Sequence, residues 1–326
     1  MWEIYKSGSV RDVELLKGNY IMSTRQHFIK ILGLINIVFW ILLFANCQKP
    51  VVQNDHPKVF VSILPQKYFV DKICGDLVDV FVMVLPGSSP HTYEPRPSQM
   101  KELSKATAYF SIGVEFENAW LPKFAQISKS MRIIHSDSLV QKAPADSSET
   151  AEMSGNKSSN SNFGLDPHIW LAPHNAAQIT RNMYGVLCQI DPVHSEIFTR
   201  NYLAFEKEIS HTHDTICALL HCDSKTSAEK NFMVFHPSWA YFAREFRLRQ
   251  LAIEIEGKEP SPRQLESVFT QARKNGVHAI FVQPQFSRQS AQTIARELNA
   301  RVLVADDLAY NWSENLVSIA QAIARN

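Results

Sequence analysis

Residues 192–222 read PVHSEIFTRNYLAFEKEISHTHDTICALLHC, and their reading decides the fold. After Pro192 the stretch contains no glycine and no further proline. Pro192 suits a first helical position, where its missing N–H costs nothing. Apolar side chains recur mostly every three to five residues, at Ile197, Tyr202, Phe205, Ile209, Ile216 and Leu220, which is the stripe of an amphipathic helix. A helix over 192–222 would span roughly 46 Å at 1.5 Å per residue. That is long enough to run the height of two lobes.

On both sides of this stretch, short runs rich in Val, Ile and Phe alternate with amphipathic segments. Before it, strands are expected over 58–64, 78–85, 109–112 and 131–134, and helices over 66–73, 98–104, 115–127 and 174–190. After it, strands are expected over 232–235, 251–255, 278–282 and 302–305. Helices are expected there over 237–246, 262–274 (behind an N-cap at Ser261), 287–298 and 314–324. Strand–helix alternation points to an α/β fold of two lobes, each a parallel sheet flanked by helices, joined by one long rigid helix. The first lobe is expected over 57–190, the linking helix over 192–222 and the second lobe over 224–326. Residues 141–163 are serine-rich and poor in apolar side chains, so a mobile surface loop is expected there. No internal sequence repeat is legible.

Composition narrows the function. Hydrophobic residues make up 45% and charged residues 20%, the balance of an ordinary globular protein. The 33 Lys and Arg nearly cancel the 32 Asp and Glu, a net charge of +1, which argues against nucleic acid as a partner. The apolar run 31–45 follows Arg25 and Lys30 and ends at Ala45-Asn46-Cys47. It is shorter than the roughly 20 residues of a membrane-spanning helix and reads as a secretory signal. Met22 opens that pattern, so residues 1–21 read as an upstream extension, and 1–47 together as extension plus signal peptide. Phe44-Ala45-Asn46-Cys47 resembles a bacterial lipoprotein cleavage box, which would make Cys47 a lipid anchor; plain signal cleavage nearby is the alternative. The protein is therefore expected in the periplasm or otherwise outside the cytoplasmic membrane. Removing the five Lys and Arg and the three Asp and Glu of residues 1–46 leaves 28 against 29, a net charge of −1. Cys74, Cys188, Cys217 and Cys222 then remain as two disulfides in any of three pairings, or as buried thiols.

No HExxH, CxxC, Walker, dinucleotide-glycine or GxSxG pattern is present. Four other positions share a place in the fold. His91, His236 and Asp306 each follow an expected strand, and His168 sits in a loop entering a helix. Ligands of open α/β sheets bind outside the carboxyl ends of the strands. Two of the four residues belong to each lobe, so lobes that face each other would bring them into one cleft. Three imidazoles and a carboxylate make a tetrahedral site suited to zinc. Taken singly, each histidine reads more readily as a surface or hydrogen-bonded residue, and their wide spacing carries no metal-site information.

Four stretches carry a resemblance: 90–98 (Pro90-His91-Thr92-Tyr93-Glu94-Pro95-Arg96-Pro97-Ser98), Asp166-Pro167-His168-Ile169-Trp170-Leu171, 235–242 (Phe235-His236-Pro237-Ser238-Trp239-Ala240-Tyr241-Phe242), and 254–262 (Glu254-Ile255-Glu256-Gly257-Lys258-Glu259-Pro260-Ser261-Pro262). They resemble, in order and over roughly 57–326, the metal-binding solute receptors of bacterial ABC importers, the cluster A-I zinc/manganese family. The resemblance implies two α/β lobes bridged by a rigid helix, with one divalent metal held between them as transported ligand. It carries the metal ligands onto His91, His168, His236 and Asp306, with Asp307 as rival for the last role. Tyr93 and Glu94 are then candidates to orient His91, and Asp166 to hold the second nitrogen of His168. Three histidines favour zinc, and manganese receptors of the family usually place a carboxylate where His236 stands. Zinc members often carry a His-rich loop, which 141–163 is not, so manganese or iron(II) stays open. The implied partners are an ABC permease and its cytoplasmic ATPase, with the receptor itself a monomer and not an enzyme. A secreted metal-dependent hydrolase and an adhesin are the rival readings.

Overall fold

The computed structural model describes residues 56–144, 164–224, 230–254 and 261–326. The leader with Cys47, the serine-rich stretch from 145 to 163 and residues 255–260 lie outside the described residues. Two four-stranded sheets, parallel throughout, organise the chain. The first contains β1 (Lys58–Val61), β2 (Asp79–Val82), β3 (Ala108–Ser111) and β4 (Arg132–His135), in the order β2-β1-β3-β4. The second contains β5 (Lys230–Val234), β6 (Leu248–Ala252), β7 (Ala279–Val282) and β8 (Arg301–Val304), in the order β6-β5-β7-β8. The two sheets are wound identically, a repeat that the sequence does not display. In each, the strand order reverses between the first and third strands, and the crevice beyond that switch point is where such sheets bind ligands.

Strands β3 and β7 are buried along their whole length because helices cover both faces of their sheets. The helices of the first half are α1 (Leu64–Cys74), α2 (Pro97–Leu103), α3 (Glu115–Ile127) and α4 (Pro173–Ile190). The long stretch forms a 3-10 turn, Pro192–His194, and then α5 (Ser195–Leu220), 26 residues long. His221 ends α5 in the left-handed conformation (φ 57°), and a Cys217–Cys222 disulfide fastens the last turn. Cys74 and Cys188 are free thiols, so the open question of pairing resolves to one bridge. The second half adds α6 (Ala240–Glu245), α7 (Pro262–Lys274), α8 (Arg288–Leu298) and α9 (Trp312–Ala324). Among the described residues no helix is long and apolar enough to cross a membrane.

Helix α5 packs against α1 and α4 on one side and against the C-terminal helix α9 on another. Its stripe of Phe198, Phe205, Ile209 and Ile216 joins Phe69 and Ile73 of α1, Met183 of α4, and Leu316, Ile319 and Ile323 of α9. The same apolar cluster continues without a break to Phe232, Val234 and Phe281 of the second sheet. A separate cluster fills the other face of that sheet, where Met233, Leu251 and Ile280 meet Val268 and Ala272 of α7 and Ala291 and Ile294 of α8. Indole hydrogen bonds cross the molecule as well. Trp170 Nε1 donates to the Asp307 carbonyl at 2.7 Å, and Trp312 Nε1 donates to the Trp170 carbonyl at 2.7 Å. A core shared this way stiffens the molecule, since moving one sheet against the other would open packed surface.

Strand β6 lies three residues earlier than the expected 251–255. Leu248 and Gln250 are buried as well as Leu251 and Ile253, so hydrophobic pattern alone does not set this boundary. The shift frees Glu254 from the strand and places it beyond the carboxyl end. Truncating Leu316→Ala on α9 would remove a fully buried side chain from the α5–α9 seam. We expect a loss of about 2–5 kcal/mol in urea denaturation, with the far-UV spectrum unchanged.

Candidate metal centre

His91 stands in the loop after β2, stiffened by Pro90, Pro95 and Pro97. The Pro90 carbonyl accepts from the Phe116 N–H at 3.3 Å, which ties the loop to the start of α3. There Glu115 places Oε2 2.9 Å from His91 Nδ1. The turn that presents Glu115 requires Gly113, whose φ is +87° and where a Cβ would lie 2.1 Å from Lys142 Nζ. Beneath it the Glu117 carboxylate accepts from the backbone N–H groups of Ile112 (3.0 Å) and Gly113 (2.8 Å) and from the Ser62 hydroxyl. Burial still pushes its carboxyl up to about 7.

His168 follows Asp166, whose Oδ1 accepts both the His168 backbone N–H at 2.9 Å and Nδ1–H at 2.7 Å. The Asp166 carbonyl accepts from the Tyr241 hydroxyl of α6 at 2.9 Å, so the second half of the chain braces this loop. His236 comes directly off β5. Gln283, beyond β7, donates to the His236 carbonyl at 2.8 Å and accepts from its N–H at 3.3 Å. His236 Nδ1 meets Glu254 Oε2 at 2.6 Å.

Each of the three histidines thus holds a carboxylate at Nδ1. The three rings also offer ligand atoms that all lie within 4.8 Å of one another. His91 Nε2 and His236 Nε2 are 3.0 Å apart, a hydrogen-bonding distance. Bonds of about 2.0–2.1 Å from both to one tetrahedral ion require about 3.3 Å, an adjustment of a few tenths of an ångström. Trp170 leans on the His168 ring at 5.4 Å, and Phe286 stacks on the His236 ring at 5.0 Å. These walls keep His168 and His236 buried, whereas His91 is part exposed.

Neither Asp306 nor Asp307 joins this group. Asp306 Oδ1 accepts from the Leu308 N–H at 2.9 Å, as a turn carboxylate does. Its neighbour Asp307 is buried, with Oδ1 3.5 Å from Gln285 Nε2, and its charge acts on His168. Two other expectations shift. Tyr93 donates its hydroxyl to Gln99 at 2.8 Å rather than orienting His91, and Glu94 is exposed. The carboxylates that do the orienting, Glu115 and Glu254, follow β3 and β6. The rule that picked out His91 and His236, position after a strand, applies to both.

The three imidazoles differ electrostatically. Burial opposes a charge on His168, but the charge and hydrogen bond of Asp166, with Asp307 and Glu115 beyond, outweigh it and raise its pKa. Burial lowers the pKa of His236; Glu254 opposes this, while His168 and His91 add to it. Burial also works against the charge on Glu115, but the His91 hydrogen bond and charge leave its carboxyl below the usual range.

Two parallel sheets with three clustered imidazoles between them make a metal-binding centre, and the comparisons say of which class: a metal-binding solute receptor of cluster A-I. A solved ZnuA structure superposes with a TM-score of 0.74 at 37% identity, covering 83% of this chain and 99% of that one. A ZnuA deletion mutant with zinc bound gives 0.73 at 37% identity, over 83% and 97%. The high-affinity zinc uptake system protein ZnuA of Bacillus subtilis (strain 168) is 26% identical over 288 residues, 85% of this chain and 88% of that protein. The profile of the ZnuA family, zinc-uptake complex component A, periplasmic, matches residues 59–326, and the chain belongs to that family.

In the metal-free protein, NMR titration of the imidazoles should find His168 titrating above an ordinary histidine and His236 below one. Asp166→Asn should bring the His168 value down. A His236 value above that of His168 would contradict this electrostatic picture.

Proposed function

We propose that this receptor captures one divalent transition ion, zinc in preference, and hands it to a membrane permease driven by a cytoplasmic ATPase. One observation carries the reading: three imidazoles converge, each with Nδ1 held by a carboxylate and Nε2 left for an ion. Such carboxylate–histidine pairs fix the tautomer and raise the basicity of the donor nitrogen. Three neutral nitrogen donors suit zinc better than manganese, which prefers oxygen. The lobes over 57–190 and 224–326 supply His91 and His168 on one side and His236 on the other. The fourth position falls to the Asp306–Asp307 pair, and the burial of Asp307 and its action on His168 favour it over Asp306.

The stiff core around α5, the central part of the 192–222 link, favours release by a local change over a wide hinge. His91 is the least buried of the three and rides on a loop, so it is the donor placed to let go first. The leader and the Cys47 box support a receptor outside the cytoplasmic membrane, lipid-anchored where Cys47 is acylated.

Competition titration tests the reading. His236→Ala should lose most of the zinc affinity, and Glu254→Gln should lose about 10–100-fold by releasing the imidazole tautomer. Asp307→Asn should weaken zinc more than Asp306→Asn. Unchanged binding in His236→Ala, or tighter manganese than zinc binding in the parent protein, would overturn it.

A further inference from the structure

The segment that carries His236 also reaches across to the loop that carries His168. Tyr241 of α6 follows His236 closely in the chain, and two glutamines hold the stretch between them. Gln283 Nε2 donates to the His236 carbonyl and to Ser238 Oγ, both at 2.8 Å. The Trp239 N–H donates to Gln250 Oε1 at 2.7 Å. From this fixed base the Tyr241 hydroxyl makes two bonds into the first half of the chain. It donates to the Asp166 carbonyl at 2.9 Å and accepts from the Ala143 N–H at 2.8 Å. Those two partners are themselves joined, since the Asp166 N–H donates to the Ala143 carbonyl at 2.8 Å. Ala143, Asp166 and Tyr241 are all buried, so each lost bond would leave a buried polar group without a partner. Burial also pushes the Tyr241 hydroxyl up to about 12, which keeps it a donor at neutral pH. Asp166 passes the constraint on, because its Oδ1 holds both the backbone N–H and Nδ1 of His168. The hydroxyl thereby fixes two imidazoles, one from each half of the chain, relative to each other before an ion arrives.

We propose that Tyr241 is a positioning residue for metal capture, its hydroxyl setting His168 against His236 through Asp166. It touches no ion itself, and the inference rests on the three-histidine reading above. Donors held in place in advance spare the ordering cost of binding. Loss of the hydroxyl should therefore show as weaker binding and faster release.

Zinc affinity and dissociation rate of Tyr241→Phe test this, since the change removes one oxygen and keeps the ring. Binding about 3–10-fold weaker is expected, below the loss for a residue bonded directly to a ligand, and most of it as faster release. The His168 Nδ1–H resonance of the metal-free protein should shift and broaden in Tyr241→Phe, a change that a general loss of stability would not make. Tyr184→Phe, which removes a 2.8 Å hydroxyl bond to Thr199 between α4 and α5, should keep both the affinity and that resonance. In an Asp166→Asn background Tyr241→Phe should add less than about twofold, because the link it acts through is gone. In the parent protein, zinc loading should slow amide exchange at Ala143, since such coupling is reciprocal. Zinc affinity of Tyr241→Phe within about twofold of the parent would overturn the proposal. So would an equal loss in Tyr184→Phe, a fully additive double variant, or unchanged exchange at Ala143. Unchanged binding in His236→Ala would instead overturn the three-histidine reading, so the two fail separately.

Discussion

An imidazole has two ring nitrogens, and the centre depends on committing one of each pair to a carboxylate. Asp166, Glu115 and Glu254 take Nδ1 of His168, His91 and His236 at 2.7, 2.9 and 2.6 Å. Without those bonds each ring could flip or take the other tautomer, and an N–H would point where an ion must bind. With them, the second nitrogens of the three rings face one small volume, where His91 Nε2 and His236 Nε2 lie 3.0 Å apart. The carboxylates also offset the repulsion that a dication would meet among partly charged rings.

The scaffold makes that convergence cheap. Both sheets have the same strand order, so both present their carboxyl ends and switch points as ligand-binding edges. His91 and Glu115 leave β2 and β3, and His236, Glu254 and Gln283 leave β5, β6 and β7. His236, Glu254 and Gln283 sit one or two residues beyond their strands, where backbone position is set by the sheet, while His91 and His168 ride on loops. The shared core along α5 and α9, with the Trp170 and Trp312 indole bonds, holds the two edges together.

Much of this was legible in the sequence, for identifiable reasons. The helix 115–127 was placed without error, and α4 and α8 to within one residue, because apolar spacing and proline or serine starts mark helices strongly. The three histidines were legible because each sits in a distinctive short stretch. Strand β6 was misplaced because Arg249 and Gln250 interrupt its apolar pattern while Ile253 and Ile255 carry that pattern past its end, and that hid Glu254 as a strand residue. Glu115 was read only as the first residue of a helix, where an acid is commonplace, so its bond to His91 had no local signal. Asp306 and Asp307 are adjacent, and only the fold distinguishes their surroundings, by the turn that ties Asp306 to Leu308 and by the burial of Asp307. The Cys217–Cys222 bridge joins residues five apart at a helix end, a pairing that spacing alone leaves open.

X-ray absorption at the zinc edge on protein loaded with one equivalent tests the central claim most directly. The account predicts three imidazole nitrogens at about 2.0–2.1 Å with one further oxygen and no sulfur. Fewer than three imidazoles, or a thiolate in the shell, would contradict it.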